Sequence, residues 1–425
     1  MSEAVEQSDL REGYQEVKLG PKLVKIPPEW DVRKLDELTK NSGNYGANVS
    51  AVEYDPEKPR YIRITDIGDD GFLKDNDRKS ITRDDAEGYY LSAGDLLFAR
   101  TGATAGKSYL CREDNIDAAY AGYLIRFELD ESQADPDFLA LYVQSKLYHD
   151  WVDRITRHGA QQNINASEYR SLDVLYPPLP EQRRIADILS TVDEQIQQTD
   201  EIIERTEELR FGLMTEFFHT GYNDHPLTDA PTFGQVPADW DIRELAEVAE
   251  VKMGSSPKSK HYNEQGDGLP FYQANNEFGY RNPTNDRWCS EPKKIAEEGD
   301  TLVTIRGTYV GQVNVANERC CIGRGLAAVN ARGIDQEYLH HHLAHRERYV
   351  KSIASGSTFD SINSSELETL SVLIPPRDEQ EKIASCLREL QEKYLKEMNH
   401  KKGLQELKRG LMQDLLTGTV RVNTD

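Results

Sequence analysis

The sequence predicts a mixed α/β (α+β) protein in which two tandem, β-rich domains are each followed by a long helix. Two repeated segments indicate the duplication. LYPPLPEQRRIADIL, which begins at Leu175, recurs as LIPPRDEQEKIASCL from Leu373, and IPPEWDVRKL from Ile26 recurs as VPADWDIREL from Val236. A third observation is that each copy ends in a stretch without proline in which apolar residues recur at helical spacing. Self-similarity that persists through the whole chain predicts a repeated fold.

Each predicted domain begins with its tryptophan-containing segment and continues with short apolar runs separated by Gly, Pro and Asn. Such runs are typical of strands joined by turns, whereas longer periodic segments are typical of helices. The clearest predicted strands cover residues 61–65, 95–99, 122–127 and 300–305, and the clearest predicted short helices cover residues 137–152 and 337–353.

Two long helices close the copies. Their apolar residues recur at spacings of three, four and seven, which is the pattern of coiled-coil packing, although Thr199, Thr206 and Arg210 interrupt the first stripe. We therefore expect the two helices to pack on each other, with the outer faces left for partners. The stripe residues, assigned to packing, spacing and subunit docking, are Ile185, Leu189, Val192, Ile196, Ile203, Leu213, Ile383, Leu387, Leu390, Tyr394, Leu404 and Leu411.

These patterns divide the chain into seven segments. They are an acidic N-terminal tail (1–13), a first domain (14–178), a first helix (179–219), a linker (220–235), a second domain (236–376), a second helix (377–418) and a C-terminal tail (419–425).

The charge of the chain restricts its partners. Asp and Glu number 74 against 51 Lys and Arg, which gives a formal net charge of −23. Phosphate binding depends on Lys and Arg, so this balance ordinarily argues against a nucleic-acid partner. Two interpretations stay open: the protein never meets DNA, or its acidity is a coat suited to a salt-rich cytosol in which local basic patches survive.

The remaining composition predicts a cytoplasmic protein without a membrane partner. No run of eighteen apolar residues is present, and the N-terminal segment lacks the apolar core of a signal peptide. The five cysteines form no CxxC pair, so we expect reduced thiols.

In its repeated motifs the chain resembles the specificity (S) subunit of type I restriction–modification systems. The resemblance is carried by both copies of the PP…EQ…I segment, by the following LRFGLMTEFFHTG and LKRGLMQDLLTGTVRV, and by GDLLFARTGATAGK and GDTLVTIRGTYVGQ. It implies two target-recognition domains that each read half of a bipartite, asymmetric DNA site. It also implies that two antiparallel helices set the gap between the half-sites, dock two methylation (M) subunits and help to recruit restriction (R) subunits.

Candidate DNA contacts follow from residue chemistry on the predicted loops. Arg and Lys bind phosphates, Gln and Asn suit adenine edges, and Ser and Thr are tolerant readers; ordinary surface charge or turn capping is the competing interpretation. We expect the helices after the 157–163 and 355–360 loops to be capped near Ser167 and Ser365. The candidates are Arg78, Lys79, Arg100, Thr101, Gly102, Lys107, Arg157, Gln161, Gln162, Asn163, Lys258, Lys260, Arg281, Arg306, Ser357 and Thr358.

No catalytic, cofactor or metal site is predicted. TGATAGKS at Thr101 misses the phosphate-loop spacing by one residue, and the histidines near His341 have no counterparts in the first copy. The resemblance places S-adenosylmethionine, ATP and Mg²⁺ on partner subunits. Two alternatives remain: a self-contained DNA methyltransferase or nuclease, and a coiled-coil scaffold that does not bind DNA.

Overall fold

The fold is described from a computed structural model, in which residues 13–114, 116–156, 163–354 and 360–424 are described. The chain forms two compact units. Unit 1 contains residues 1–197 together with 402–425, and unit 2 contains residues 198–401. Each unit therefore holds one domain and parts of both long helices.

Unit 1 contains twelve described strands and the beginning of a long helix. The elements are β1 (Gln15–Leu19), β2 (Lys22–Ile26), β3 (Asp31–Lys34), β4 (Asn44–Tyr45), β5 (Val52–Glu53), β6 (Arg60–Ile62), β7 (Lys79–Ser80), α1 (Arg83–Ala86), β8 (Asp95–Ala99), β9 (Ser108–Leu110), β10 (Ala118–Tyr120), β11 (Leu124–Glu128), α2 (Pro136–Tyr142), α3 (Lys146–Thr156), α4 (Ala166–Arg170), β12 (Asp173–Tyr176) and α5 (Leu179–Thr220).

Unit 2 has a similar order, with thirteen described strands. Its elements are β13 (Leu227–Ala230), β14 (Gly234–Pro237), β15 (Asp241–Glu244), α6 (Leu245–Val248), β16 (Ala249–Met253), β17 (Tyr262–Asn263), β18 (Leu269–Tyr272), β19 (Trp288–Cys289), β20 (Ile295–Ala296), β21 (Thr301–Thr304), β22 (Val313–Val315), β23 (Cys320–Ile322), β24 (Leu326–Ala331), α7 (Gln336–His345), α8 (Glu347–Ala354), α9 (Ser364–Glu368), β25 (Ser371–Ile374) and α10 (Arg377–Leu416).

Three of the four described sheets of each unit match strand for strand, whereas the remaining sheet has four strands in unit 1 and five in unit 2. A four-stranded sheet has the order β4-β11-β8-β9 in unit 1 and β16-β24-β21-β22 in unit 2. A second sheet joins β6 to β10 in parallel, as β18 joins β23, and a two-stranded ladder joins β3 to β12, as β15 joins β25. The predicted fold class, two tandem sheet-rich domains with long helices, is confirmed.

A fully buried strand lies at the centre of each domain. Every residue of β8 and of β21 is buried, in keeping with their continuous apolar sequences and with neighbours on both sides. In unit 1 the core extends from Phe98 to Phe138 and Trp151 of the covering helices, and then to Ile185 of α5. Because β8 is buried in this core, the hairpin loop that follows β8 starts from a fixed position.

The two predicted short helices were wrong in one respect, because each is divided into two. In unit 1, α2 ends before Val143, and Ser145 starts a new helix because its hydroxyl accepts the Tyr148 N–H at 3.3 Å. A serine at that position acts as an N-terminal cap. In unit 2 the division falls at Arg346, between α7 and α8.

The long helices pair in opposite directions within each unit. In unit 1, Ile185 and Leu189 near the start of α5 share a core with Leu415 and Leu416 at the end of α10. In unit 2, the end of α5 shares a core with Ile383 at the start of α10. The start of one helix thus lies beside the end of the other in both units, which is the antiparallel arrangement.

Polar residues occupy part of the helix seam. Thr199 and Thr206 are buried, at 4% and 5% exposure, although neither is apolar. Ion pairs cross the seam from Lys401 to Asp200 at 2.5 Å in unit 2 and from Lys408 to Asp193 at 2.6 Å in unit 1. Within the described ranges, none of the helices combines the length and the hydropathy that a bilayer span requires.

Unit 2 buries histidines that unit 1 lacks. His340 is 4% exposed and its Nδ1 has no partner among the described residues. The Nε2 of His342 accepts the Leu373 N–H at 3.2 Å, so Nε2 carries no proton and the ring is uncharged. Burial is the main cause that lowers the pKa of His340 to about 3 and that of His345 to about 4. These rings are therefore held uncharged.

This burial predicts that unit 2 loses stability in mild acid. The folded pKa of His340 lies below its unfolded value of about 6.5, so the unfolded state binds more protons as pH falls from that value toward about 3. We expect His340 alone to remove about 2 kcal/mol of stability by pH 5. Hydrogen exchange at pH 7 and pH 5 should show earlier loss of protection in α7 than in α2. Substitution His340→Asn should reduce this difference; equal protection of both helices at pH 5 would contradict the prediction.

Candidate nucleic-acid interface

The glycine-containing loop after the central strand occupies the same position in both domains. In unit 1 the loop joins β8 to β9, and the Ile164 N–H donates to the Arg100 carbonyl at 2.8 Å, while Thr101 bridges to Asn163. In unit 2 the Ile362 N–H donates to the Ile305 carbonyl at 3.0 Å. Each hairpin loop is therefore tied to the segment before the next short helix.

This register fixes which residues of the two loops correspond. Because Arg306 bridges to Ser361 as Thr101 bridges to Asn163, Arg306 is the counterpart of Thr101, and Arg100 is the counterpart of Ile305. The two arginines that the sequence places at matching loops thus differ by one position. On an extended backbone, adjacent side chains point to opposite faces, so the two domains present different surfaces.

The loop glycines leave backbone accessible. Gly102 has φ of +67° and Gly307 has φ of +91°, a region that favours glycine, and a Cβ at either position would meet no atom within 4 Å. Open backbone on a protruding turn can approach a ligand closely, which a side chain would prevent.

Most predicted cations of the first domain are neutralised by carboxylates. Arg78 lies 2.6 Å from Asp75, and Lys107 lies 2.7 Å from Asp69. Lys79 contacts both Glu53 and Asp77. These side chains would have to exchange partners to contact a phosphate.

Arg100 is different. Its guanidinium lies 5.0 Å from the centre of the Tyr45 ring, and the described residues provide no ion pair for it. The Tyr45 side chain is 43% exposed. The neighbouring Tyr123 is 57% exposed. The first domain therefore presents a half-buried cation against one exposed aromatic ring.

The second domain carries unpaired cations. Lys258, Lys260 and Arg306 are exposed, and none has an ion pair with any residue that the structure describes. Sequence reasoning missed Arg324, which is also exposed and unpaired in the described part of the chain. Its Gly-Arg-Gly setting, a cation on a turn that follows a buried strand, was the available signal.

Arg281 has an internal partner instead. Its guanidinium makes a forked contact with Glu337, at 2.6 and 2.7 Å, and also donates to Gln391 at 2.6 Å. Burial raises the pKa of Glu337, but hydrogen bonds from His341 and Arg281 outweigh burial and hold it well below its usual value. This geometry favours a structural role for Arg281, attaching the second domain to α10.

The loops that precede α4 and α9 are only partly described. Asn163 is exposed beside Thr101, whereas Arg157, Gln161, Gln162, Ser357 and Thr358 lie outside the described residues. The caps of the following helices were predicted near Ser167 and Ser365, and this was wrong. Asn165 and Asn363 cap α4 and α9 by accepting the N–H groups of Glu168 and Glu366.

The repeated Glu-Gln pair anchors each long helix. The Trp30 indole N–H donates to Glu181 at 2.9 Å, and the Trp240 indole N–H donates to Glu379 at 3.2 Å. The following glutamine, Gln182 in unit 1, accepts the Asp135 N–H and donates to the Pro177 carbonyl. Gln380 does the same in unit 2. These contacts explain why the tryptophan segment and the PP…EQ segment recur together.

Each anchoring glutamate also accepts hydrogen bonds from the segment that follows the other long helix. In unit 1, Arg421 after α10 binds Glu181 at 2.6 Å. In unit 2, the segment after α5 supplies His225 Nε2 at 2.9 Å and the N–H groups of Tyr222 and Asn223 to Glu379. Burial lowers the pKa of His225, but the adjacent Glu379 and Asp239 outweigh it and raise the pKa overall.

The predicted stripe residues are mostly enclosed by the helix pair. Six are buried and six are half-buried: buried are Ile185, Leu189, Val192, Ile383, Leu387 and Leu404, and half-buried are Ile196, Ile203, Leu213, Leu390, Tyr394 and Leu411. They join the helices to the domains as well as to each other: Ile185 lies in the core of the first domain, Ile383 packs with Trp240, and Tyr394 stacks on Tyr280 at 4.1 Å between ring centres. Other apolar side chains stay exposed on the helices, at 40–53%: Ile202, Leu209, Phe211, Met398 and Leu407.

A duplicated α/β domain with matched loops, joined to long helices that pack on each other within each unit, defines a protein with two copies of one candidate binding surface. The chain belongs to the family described as the type I restriction modification DNA specificity domain, whose sequence model matches residues 27–208 and again residues 237–409. The double match coincides with the two copies.

Similar proteins agree along nearly the full length. A specificity-subunit homologue assigned to the type I restriction enzyme MjaX of Methanocaldococcus jannaschii is 28% identical over 425 residues, which covers 97% of this chain and 98% of that protein. The type I restriction enzyme MjaVIII specificity subunit of the same organism is 21% identical and covers 94% and 95%.

Solved structures show the same fold. A chain from a type I R-M system, whose structure addresses complex assembly and conformational transition, is 26% identical with a TM-score of 0.56 and covers 93% of this chain and 100% of that chain. The S subunit of a type I restriction–modification system from M. genitalium is 18% identical with a TM-score of 0.63, covering 94% and 98%.

Proposed function

We propose that this chain is the DNA sequence-specificity subunit of a type I restriction–modification complex and recognises a bipartite, asymmetric DNA site. The observation that carries the proposal is that the two domains keep the same loop framework but present different side chains on it. Arg100 beside Tyr45 occupies the first loop framework, and Arg306 with Arg324 occupies the second. One chain with two unlike readers suits a site with two unlike halves.

Local charge supports binding to DNA despite the net charge of −23. Lys258, Lys260, Arg306 and Arg324 of the second domain lie on loops and are not neutralised by carboxylates among the described residues. Phosphate contacts need such available cations at the contact surface, whereas the total charge of the chain matters less within the short screening length of a salty solution.

Partner subunits would dock on the outer faces of the long helices. The exposed apolar residues of α5 and α10 supply contact area that the helix pair itself does not use. We propose that two M subunits bind these faces and that R subunits join the resulting complex. In this assembly the chain contributes recognition without catalysis, and S-adenosylmethionine, ATP and Mg²⁺ are bound by the partners.

Methylome mapping tests the proposed function. Host DNA is sequenced for methylated bases with and without this gene, and the expected result is loss of one split motif when the gene is deleted. An unchanged set of methylated motifs would contradict recognition and favour a scaffold. Methyl transfer or cleavage by the isolated chain, after addition of S-adenosylmethionine or Mg²⁺ and DNA, would instead favour a self-contained enzyme.

A further inference from the structure

The backbone of Arg100 is held on both sides by neighbouring segments of unit 1. Its N–H donates to the Tyr123 carbonyl at 3.0 Å, and its carbonyl accepts the Ile164 N–H at 2.8 Å. Arg100 also follows β8 directly, and every residue of that strand is buried. The Arg100 side chain therefore starts from a rigid point at the beginning of the hairpin loop.

Tyr45 restricts where the Arg100 side chain lies. Tyr45 pairs with Ile125 of β11, and Ile125 pairs with Phe98, two residues before Arg100. Alternate residues of a strand share a face, in keeping with the distance of 5.0 Å between the Arg100 guanidinium carbon and the centre of the Tyr45 ring. The Tyr45 hydroxyl accepts the Ala166 N–H at 3.3 Å, which holds the ring in place. The cation–π contact thus orders the arginine before any ligand arrives.

The guanidinium of Arg100 presents its terminal nitrogens to solvent. The residue is half-buried, and its Nε is enclosed without a hydrogen-bond partner among the described residues. The two terminal nitrogens also lack a partner there, but they are not enclosed. The four N–H groups at this end of the planar fork are therefore available, and such a fork binds two acceptors at once.

The matching pair of the second domain is apolar. Ile305 is the counterpart of Arg100, and the strand register makes Met253 the counterpart of Tyr45. Ile305 is 2% exposed, and Met253 packs against the same hydrophobic core. The framework is thus complete with two apolar side chains at these positions. A cation is not required there by the fold, and half-burying one is unfavourable unless it has a use.

The surroundings of Arg100 suit a base better than a phosphate. The other cation of the hairpin loop, Lys107, is bound by Asp69 at 2.7 Å, so Arg100 is not part of a cluster of available charges. Its neighbours are instead the exposed Tyr123 ring and, beyond Thr101, the exposed Asn163. In the major groove, guanine presents the two acceptors O6 and N7, and a forked arginine contact with both is the commonest specific contact.

Resting on the proposed DNA-specificity function, we propose that Arg100 reads one guanine in the half-site of the first domain and that Tyr45 is its positioning residue. The two terminal nitrogens donate to O6 and N7 of the guanine, while Nε stays enclosed. The first domain thereby selects a G·C pair at a framework position where the second domain carries isoleucine.

The experiment uses the full chain purified with its methylation subunits and duplexes that carry the wild-type methylation motif. Each base pair of the motif is replaced in turn, and each guanine is separately replaced by 7-deazaguanine, which keeps base pairing but lacks the N7 acceptor. We expect Arg100→Ala to lose a discrimination of about 5- to 150-fold at one G·C pair, with discrimination at the other positions unchanged. At that pair, 7-deazaguanine should weaken binding by the wild type and leave binding by Arg100→Ala unaffected.

Further variants separate reading from packing. Arg100→Lys keeps the charge but not the fork, so it should lose discrimination at the same pair. Tyr45→Phe keeps the ring and should keep the discrimination, whereas Tyr45→Leu should weaken it at that pair. The double variant Arg100→Ile with Tyr45→Met carries an apolar pair like that of the second domain. It should retain the wild-type thermal midpoint and still lose the guanine preference.

Arg112→Ala is the matched control. Arg112 also lies beside an aromatic ring, 5.5 Å from the centre of Phe72, but its guanidinium is paired with Asp137 at 2.8 Å. Because its charge is already neutralised, the variant should discriminate every base pair as the wild type does.

The possible failures are distinguishable. If Arg100→Ala keeps full discrimination at every pair, the assignment is overturned while the proposed function stands. Uniform weakening without altered discrimination would also overturn it, because that is the behaviour of a phosphate contact. A loss confined to an A·T pair would do the same. If the wild-type complex binds no motif, the proposed function itself fails.

Discussion

Replacement of Lys258, Lys260, Arg306 and Arg324 together by alanine is expected to weaken binding to the cognate duplex by at least about 100-fold at 0.1 M salt. Each phosphate contact contributes roughly one unit to the slope of log affinity against log salt concentration, or about tenfold in affinity between 0.1 and 1 M salt. All four side chains are exposed and have no ion pair within the described ranges. Their removal should therefore change the stability of the free protein little. Titrations at several salt concentrations measure both the affinity and the slope.

The first domain supplies a matched control. Alanine at Arg78, Lys79 and Lys107 removes three cations that are already paired with carboxylates. Because those pairs must open before a phosphate can bind, we expect a smaller change in affinity and in the salt slope than for the second-domain variant. Equal losses in the two variants would contradict the assignment of available charge to the second domain.

Replacement of Glu379 by alanine is expected to destabilise unit 2 by about 3–5 kcal/mol. The carboxylate is 1% exposed and accepts from the Trp240 indole, His225 and two backbone N–H groups. Removing it leaves these donors buried without a partner, which costs more than the loss of one ordinary hydrogen bond. Denaturant unfolding of the full chain, monitored by the fluorescence of its four tryptophans, measures the change.

Two further variants define the cause of this loss. Glu379→Gln retains an acceptor but removes the charge that His225 faces, so its effect should be intermediate. Glu381, on the same helix, is 59% exposed, and within the described part of the chain its ion pair is with the exposed Arg377, so Glu381→Ala should change stability by less than about 0.5 kcal/mol. A Glu379→Ala variant as stable as the wild type would refute the anchoring role.

The domains and the long helices could be predicted because their sequence motifs occur in two copies along the chain. Period and spacing located the two domains and the long helices, and the recurrent Glu-Gln pair marked their starts. What that pair contacts could not be predicted, because Trp30 and Glu181 are far apart in sequence and meet only after the β-rich domain has folded. The division of the short helices was missed because apolar spacing continues across Ser145 while its hydroxyl starts a new helix.

The candidate site was less predictable than the fold. Composition cannot show which cations are paired: Arg281 and Arg306 look alike in the sequence, yet one is bound by Glu337 and the other is exposed. The one-residue offset between Arg100 and Arg306 can be read from the aligned Gly-Asp segments, and the backbone hydrogen bonds confirm it.

The matched anchors have an evolutionary consequence. Each domain begins at a tryptophan and ends at a Glu-Gln pair, and the contacts between them are the same in both units. Recombination between related genes at these two points would import a foreign domain together with the tryptophan that the resident glutamate requires. New sequence preferences could then arise by exchange of whole modules, without any change in the helices that hold the exchanged piece.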